Sequence, residues 1–354
     1  MLNSLQIGRA LAALSVAAFH LSVEFAPGES AFADLTRQGH AGVNFFFVLS
    51  EFIILHAHGK DIGHPRQVGL YLRNRFTRVY PVYWLYTAIF VLAVIALNGS
   101  TLLPKTISGW VSTVSLFRFS NEATPLSVAW TLFYEVGFYL TFAVLIIHKR
   151  LGLAAMAVWA AVILALHQVP PRTSPLGVWT SLLGVNFFVG MAACWLYQRL
   201  SPRLALVPLV AGLIGFLSVA VYVDQEMPET TFILAIALSC GLVVLGAATI
   251  ERVHSISMPA LTALGNASYT LYLVHQHVQG LIGEILSYLG LANRLPADAL
   301  FVTILMLGAF AAYCIHRLVE VPLIAFVRRG RTRTDPSEPG KRSPTKRSAD
   351  SKPL

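Results

Sequence analysis

QIGRALAALSVAAFHLSVEF, residues 6–25, is the stretch whose reading decides the fold. Between Arg9 and His20 almost every residue is Ala, Leu or Val, so it is an apolar helix long enough to enter a membrane. The step from Arg9 to His20 is three helical turns plus about 20°, so both side chains project from one face, about 16 Å apart along the axis. An ionisable group inside a membrane is costly and marks function by default. Each residue alone has an ordinary explanation, a snorkelling arginine and a histidine bonded to a neighbouring helix. As a pair on one face they point to function.

The rest of the composition agrees with a membrane fold. The chain has 354 residues, 56% hydrophobic and only 12% charged, which predicts an all-α, polytopic integral membrane protein. The net charge of +9 does not imply a nucleic-acid partner, because nine Lys/Arg lie after Val327 and most of the others lie in short loops that set topology. Cys194, Cys240 and Cys314 all fall in apolar runs, so free thiols are expected rather than disulfides. The N-terminal run lacks a small-residue cleavage site and carries a histidine, so no cleavable signal peptide is expected.

Runs of about 20 apolar residues predict about ten transmembrane helices, at 5–25, 42–59, 79–98, 127–147, 151–168, 178–197, 204–223, 230–250, 266–289 and 298–327. Between them, ISGWVSTVSLFRF (107–119) reads as a short re-entrant or interfacial helix. With the N-terminus inside, 20 Lys/Arg fall on the cytoplasmic side and five outside, with Arg317 inside the last span. Both termini are therefore expected to be cytoplasmic. Residues 1–327 form one membrane domain. Residues 328–354, rich in Pro, Ser and basic residues, are expected to be a disordered tail that contacts anionic membrane lipids, worth about 1 kcal/mol per basic residue near the surface.

Chemistry-bearing residues cluster in or beside the spans. In YLRNRFTRVYPVYW (71–84), Arg75 and Arg78 are three apart and share a helix face. Guanidinium pairs bidentately with phosphate, although the positive-inside rule alone also places arginines here. Glu135 sits among aromatics in SVAWTLFYEVGFYL (127–140), where a buried carboxylate needs a partner. It could pair with an arginine, orient a histidine, or act as acid or base. In GNASYTLYLVHQH (265–277), Ser268, Tyr272 and His275 form one stripe that could line an acceptor site or be structural. In HRLVEVP (316–322), Arg317 and Glu320 are three apart, which predicts a local salt bridge. Glu51, in FFFVLSEFII (45–54), has no neutralising neighbour in sequence. If the first two spans pack antiparallel, its candidate partners are Arg9 and His20; its depth roughly agrees with that of His20, which predicts that these two face each other, while Arg9 lies a few turns deeper. No zinc pattern accompanies His56, His58 and His64, and no G-x-S-x-G is present.

Together these motifs resemble the membrane-bound acyltransferase 3 family, which O-acylates bacterial surface glycans and similar molecules. The likeness rests on Arg9 and His20 with ten residues between them, Arg75-x-x-Arg78, GVNFFFVLSEFII (42–54), AWTLFYEVGFYL (129–140), SYTLYLVH (268–275) and Glu320-x-Pro322. It runs in order over residues 4–327 and is nearest the exopolysaccharide-modifying branch. Two positions depart, Asn44 where Asp is usual and Glu51 where Gly is usual. The resemblance implies a multi-pass protein of the bacterial inner membrane with no bound cofactor. Its donor would be cytoplasmic acyl-CoA, carrying acetyl or alternatively succinyl, and its acceptor a hydroxyl of a glycan or lipid-linked saccharide. Arg75 and Arg78, with Arg9, would bind the donor; His20 would be the general base and Glu135 would position it. A glycan transporter or flippase, or an inactive relative serving in assembly, are the alternatives.

Overall fold

The computed structural model describes residues 2–97, 103–168, 175–222 and 227–332, with backbone alone for 220–222 and 330–332. The rest of the predicted tail, 333–354, lies outside the described residues. Among the described residues the chain is helical throughout, without strands. In order the helices are α1 (Asn3–Ser22), α2 (Ala31–Thr36), α3 (Gly42–His58), α4 (Val68–Ala96), α5 (Ile107–Ser115), α6 (Trp130–Ile147) and α7 (Lys149–Leu166). They continue as α8 (Gly177–Thr180), α9 (Val185–Tyr197), α10 (Leu206–Tyr222), α11 (Glu229–Ile250), α12 (Pro259–Asn266), α13 (Ser268–Tyr288), α14 (Ala297–Ile315) and α15 (Val321–Thr332).

Eight segments among the described residues are long and apolar enough to cross a membrane. Two of the expected ten positions fall short for different reasons. The segment at 178–197 breaks at Ser181, between α8 and a turn at Leu182–Gly184, leaving a shorter apolar helix, Leu182–Tyr197. Helix α13 is long enough, but His275, Gln276, His277, Gln279 and Glu284 make it too polar to qualify on composition. The span placed at 79–98 begins at Val68, so Arg73, Arg75 and Arg78 are carried on the first three turns of the same helix.

Helix ends that an alternating path puts on one side are bonded to each other. The amides of Asn3 and Ser4, which open α1, donate to Glu251 at the end of α11, at 2.7 and 2.8 Å. At the opposite end, Ser30 donates to Asp298 at the start of α14, at 2.7 Å. The 107–119 stretch forms the short helix α5, capped by the Thr106 hydroxyl and stopped by Leu116, whose φ of 55° no helix continues.

Helix α1 is the axis of the molecule, packed against α3, α11, α12, α13 and α14. Close approach needs small residues. A Cβ on Gly42 would lie 2.7 Å from the carbonyl of Ala12, and one on Gly190 would lie 2.2 Å from the carbonyl of Val48, so α1 and α9 clasp α3 from two sides. The largest core cluster is aromatic, with Phe187 lying 5.0 Å from both Phe47 and Phe138.

Candidate active site

The parallel helices α1 and α13 bring the predicted motifs together in two tiers. In the first, Arg9 Nε donates to Ser268 Oγ at 3.0 Å. Arg9, Arg78, Glu135, Ser50 and Tyr269 line one cavity of about 60 Å³. The charges acting on the Arg9 guanidinium are those of Arg78, Glu135 and Glu320. Tyr139, one turn beyond Glu135, donates its hydroxyl to the Glu135 carboxylate, and the Ser50 hydroxyl donates at 3.5 Å. Tyr139 went unnoticed in the sequence, although its i+4 spacing from the one acidic residue of α6 is a usable signal.

Arg75 and Arg78 part company. Arg78 lines the cavity. The Arg75 guanidinium lies 5.8 Å from the ring centres of both Tyr71 and Tyr139. Its Nη2 is 3.4 Å from His58 Nε2, and His58 is itself bonded to Asp61 at 2.7 Å. Arg75 therefore sits in a cage of rings rather than at the cavity.

The expected pairing of Glu51 with His20 does not form. Gly42 and Phe45 mark the face of α3 that meets α1. Glu51 is nine residues from Gly42, about half a turn round the helix at about 100° per residue, so it faces α9, where a Cβ on Gly190 would lie 2.9 Å from its own. The depth differs as well as the face: Gly39 meets Ser15, Gly42 meets Ala12 and Phe45 meets Gly8, an antiparallel register that sets Glu51 level with the start of α1 rather than with His20. Glu51 is 0% exposed, neither carboxylate oxygen has a hydrogen bond among the described residues, and the charges acting on it are Glu135 and Arg75.

In the second tier, His20 meets His275 rather than Glu135. His275 Nδ1 is 2.8 Å from the Tyr272 carbonyl and 3.2 Å from that of Leu271. Two carbonyl partners require that this nitrogen carry the proton, which makes Nε2 an acceptor. Nε2 lies 3.1 Å from His20 Nδ1, which must then be the donor, shared with the Val16 carbonyl at 3.0 Å. The result is a directed chain, Tyr272 C=O to His275 to His20, that leaves His20 Nε2 with its lone pair. His20 lines two cavities, one of 340 Å³ with His40, Asn44 and Trp130, and one of 760 Å³ with Glu24, Gln276 and Glu284.

Tyr272 joins the tiers. Its hydroxyl donates to the Val128 carbonyl at 3.0 Å and pairs with Thr131 Oγ1 at 2.9 Å. Its side chain and Val43 line both the arginine cavity and the 340 Å³ cavity. The stripe of Ser268, Tyr272 and His275 thus takes up three separate tasks along α13.

The predicted salt bridge between Arg317 and Glu320 is also absent. Residues His316–Glu320 form a π-helical turn, a wider turn in which residues four apart overlie each other better than residues three apart. Glu320 accepts from His316 Nδ1 at 2.7 Å and from the Thr270 hydroxyl of α13, while Arg317 is exposed. The turn ties the last helix to the site helix.

A polytopic helical protein with an arginine cavity beside a directed histidine pair is the class that fold and site define. The chain belongs to the acyltransferase domain family Acyl_transf_3, whose profile matches residues 2–317. It is 29% identical over 304 residues to the exopolysaccharide production protein ExoZ of Rhizobium meliloti, covering 83% of this chain and 92% of that protein. It is also 28% identical over 383 residues to the acyltransferase MdmB of Streptomyces mycarofaciens, covering 93% and 94%. No solved structure matches.

Proposed function

We propose that the protein is an O-acyltransferase of the bacterial inner membrane that moves an acyl group, acetyl first among the choices, from cytoplasmic acyl-CoA to a glycan hydroxyl. Family membership supports acyl transfer, and the name of ExoZ supports a link to exopolysaccharide. The observation that carries the reading is the free lone pair of His20 Nε2, held by a partner chain that fixes its tautomer. A nitrogen so placed suits the removal of a hydroxyl proton.

In this reading Arg78 and Arg9 attract the phosphates of the donor, and its extended pantetheine arm carries the thioester the roughly 16 Å of helix rise to His20. The acceptor oxygen attacks the thioester carbonyl as its proton passes to His20 Nε2; the carbon–sulfur bond breaks and the thiolate leaves to take up a proton. General-base assistance of this kind is worth about 10²–10⁴ in rate. Glu135 serves the arginines rather than the histidine, because it lines the cavity with Arg9 and Arg78 and its charge acts on Arg9.

The test is transfer of label from acetyl-CoA to glycan by membranes containing the protein, compared with membranes containing His20→Ala. Label in glycan that depends on His20 supports the reading. Intact acyl-CoA in the presence of glycan export would instead indicate a transporter.

A further inference from the structure

The 760 Å³ cavity beside His20 has a lining of one electrical sign. Among the described residues Glu24, Glu29 and Glu284 line it, and no Lys or Arg does. Glu29 is partly used, accepting from the Ala26 amide at 2.8 Å. A row of carboxylates alone would be a solvated rim, but two further groups turn the cavity into a built site. Gln279, only 4% exposed, also lines it. Its Nε2 donates to the Ala17 carbonyl at 3.2 Å, which leaves its Oε1 without a donor among the described residues. His20 reaches the same cavity, with Nε2 as its free atom.

The free polar atoms of this lining are thus mostly hydrogen-bond acceptors. Three carboxylates, an amide oxygen and an imidazole lone pair stand against two donors, the Gln276 amide nitrogen and the Ser287 hydroxyl. A ligand that satisfies such a wall must bring donors. Sugar hydroxyls do so, and their bonds to carboxylates are charge-assisted. The carboxylate of a uronate, or a phosphate group, adds acceptors and a like charge, which is unfavourable in a cleft that focuses one sign of field.

We infer that this cavity receives the acceptor as an uncharged, hydroxyl-rich glycosyl unit and turns away units bearing carboxylate or phosphate. The inference rests on the acyl-transfer reading above and adds the acceptor class to it. The hydroxyl to be acylated points at His20 Nε2, while neighbouring hydroxyls of the same unit bond to Gln279, Glu24 and Glu284.

The experiment uses the full chain in membranes, labelled acetyl-CoA, and host polysaccharide deacylated with mild base as the acceptor probe. Nuclear magnetic resonance of the product locates the new acyl group. It is expected on an uncharged unit, and an acyl group on a uronate, pyruvylated or phosphorylated unit overturns the inference. The Glu24→Gln/Glu284→Gln double variant is expected to raise the acceptor KM about 10-fold, with the donor KM unchanged, because it loses charge-assisted bonds. An unmoved acceptor KM removes this cavity from acceptor binding. The two readings fail in different ways. Wild-type membranes that put no label in glycan overturn acyl transfer and withdraw the acceptor inference with it; label on an acidic unit leaves acyl transfer standing and overturns the acceptor class alone.

Discussion

At the scale of single residues the two histidines carry different burdens. His20 offers a lone pair; His275, 1% exposed, fixes which nitrogen offers it. His20→Ala is expected to lower acyl transfer on the order of 10²–10⁴-fold, the span that a general base contributes, while the protein still accumulates in the membrane. His275→Gln can keep an acceptor for the His20 Nδ1 proton and is expected to retain much of the rate. His275→Phe cannot, and should lose about 10-fold or more of kcat with both KM values held, because an unfixed tautomer weakens the base. Equal activity of the two His275 variants would return His275 to simple packing. The arginines divide in a similar way. Arg78→Lys keeps charge but loses the planar fork, so the donor KM should rise. Arg75→Lys loses contact with the rings of Tyr71 and Tyr139, so its effect should fall on thermal stability. Steady-state kinetics in acyl-CoA and melting in detergent separate the two. Arg9, His20 and Glu135 were legible as single polar residues in apolar runs, and Arg78 as one of a cluster of arginines. The link between His20 and His275 was not, because it joins residues 255 apart in sequence.

At the scale of elements, periodicity placed most spans but neither their register nor their facing against one another. Glu51 shows it: the contacts of Gly42 with Ala12 and of Phe45 with Gly8 set it level with the start of α1 rather than with His20, and Gly190 brings α9 against its face. No pattern within α3 alone carries that information. The π turn at His316–Glu320 is a second case, since regular 100° stepping pairs Arg317 with Glu320 and the wider turn pairs His316 with it instead. Its effect is to anchor α13 through Thr270, whose hydroxyl also meets that of Tyr86 on α4 at 3.0 Å. Removing one partner of a buried polar group costs about 1–3 kcal/mol. His316→Ala is therefore expected to lower the melting temperature of the purified protein and to reduce transfer, while Arg317→Ala leaves both unchanged. A loss of stability on Arg317→Ala of the same size as on His316→Ala would restore the simple salt bridge.

At the scale of the whole molecule the question is how an acyl group held near the arginines reaches His20, about 16 Å further along α1 by helical rise. The cavities suggest an order. The arginine cavity of about 60 Å³ and the 340 Å³ cavity share two lining residues, Val43 and Tyr272, and the 340 Å³ cavity meets the 760 Å³ cavity at His20. Sequence could supply the helices and their order, but not this sequence of spaces, which is produced by how several helices, α3 and α13 among them, meet α1. Of the two shared residues, Tyr272 is tied by hydrogen bonds to Val128 and Thr131, so changing it alters packing as well as the opening. Val43 makes no side-chain hydrogen bond and is only 9% exposed, which makes it the cleaner site to obstruct. Val43→Trp adds a ring system where the two spaces adjoin and should close the route without touching Arg9, Arg78 or His20. Transfer to glycan is expected to fall more than about 10-fold, as misplacement of reacting groups commonly produces, while equilibrium binding of acyl-CoA changes little. Val43→Ile, a small enlargement, should fall between. The protein level in the membrane and the melting temperature serve as controls for folding. Full transfer by a normally folded Val43→Trp protein would mean that the acyl group does not pass between Val43 and Tyr272, and that donor and acceptor meet by another path.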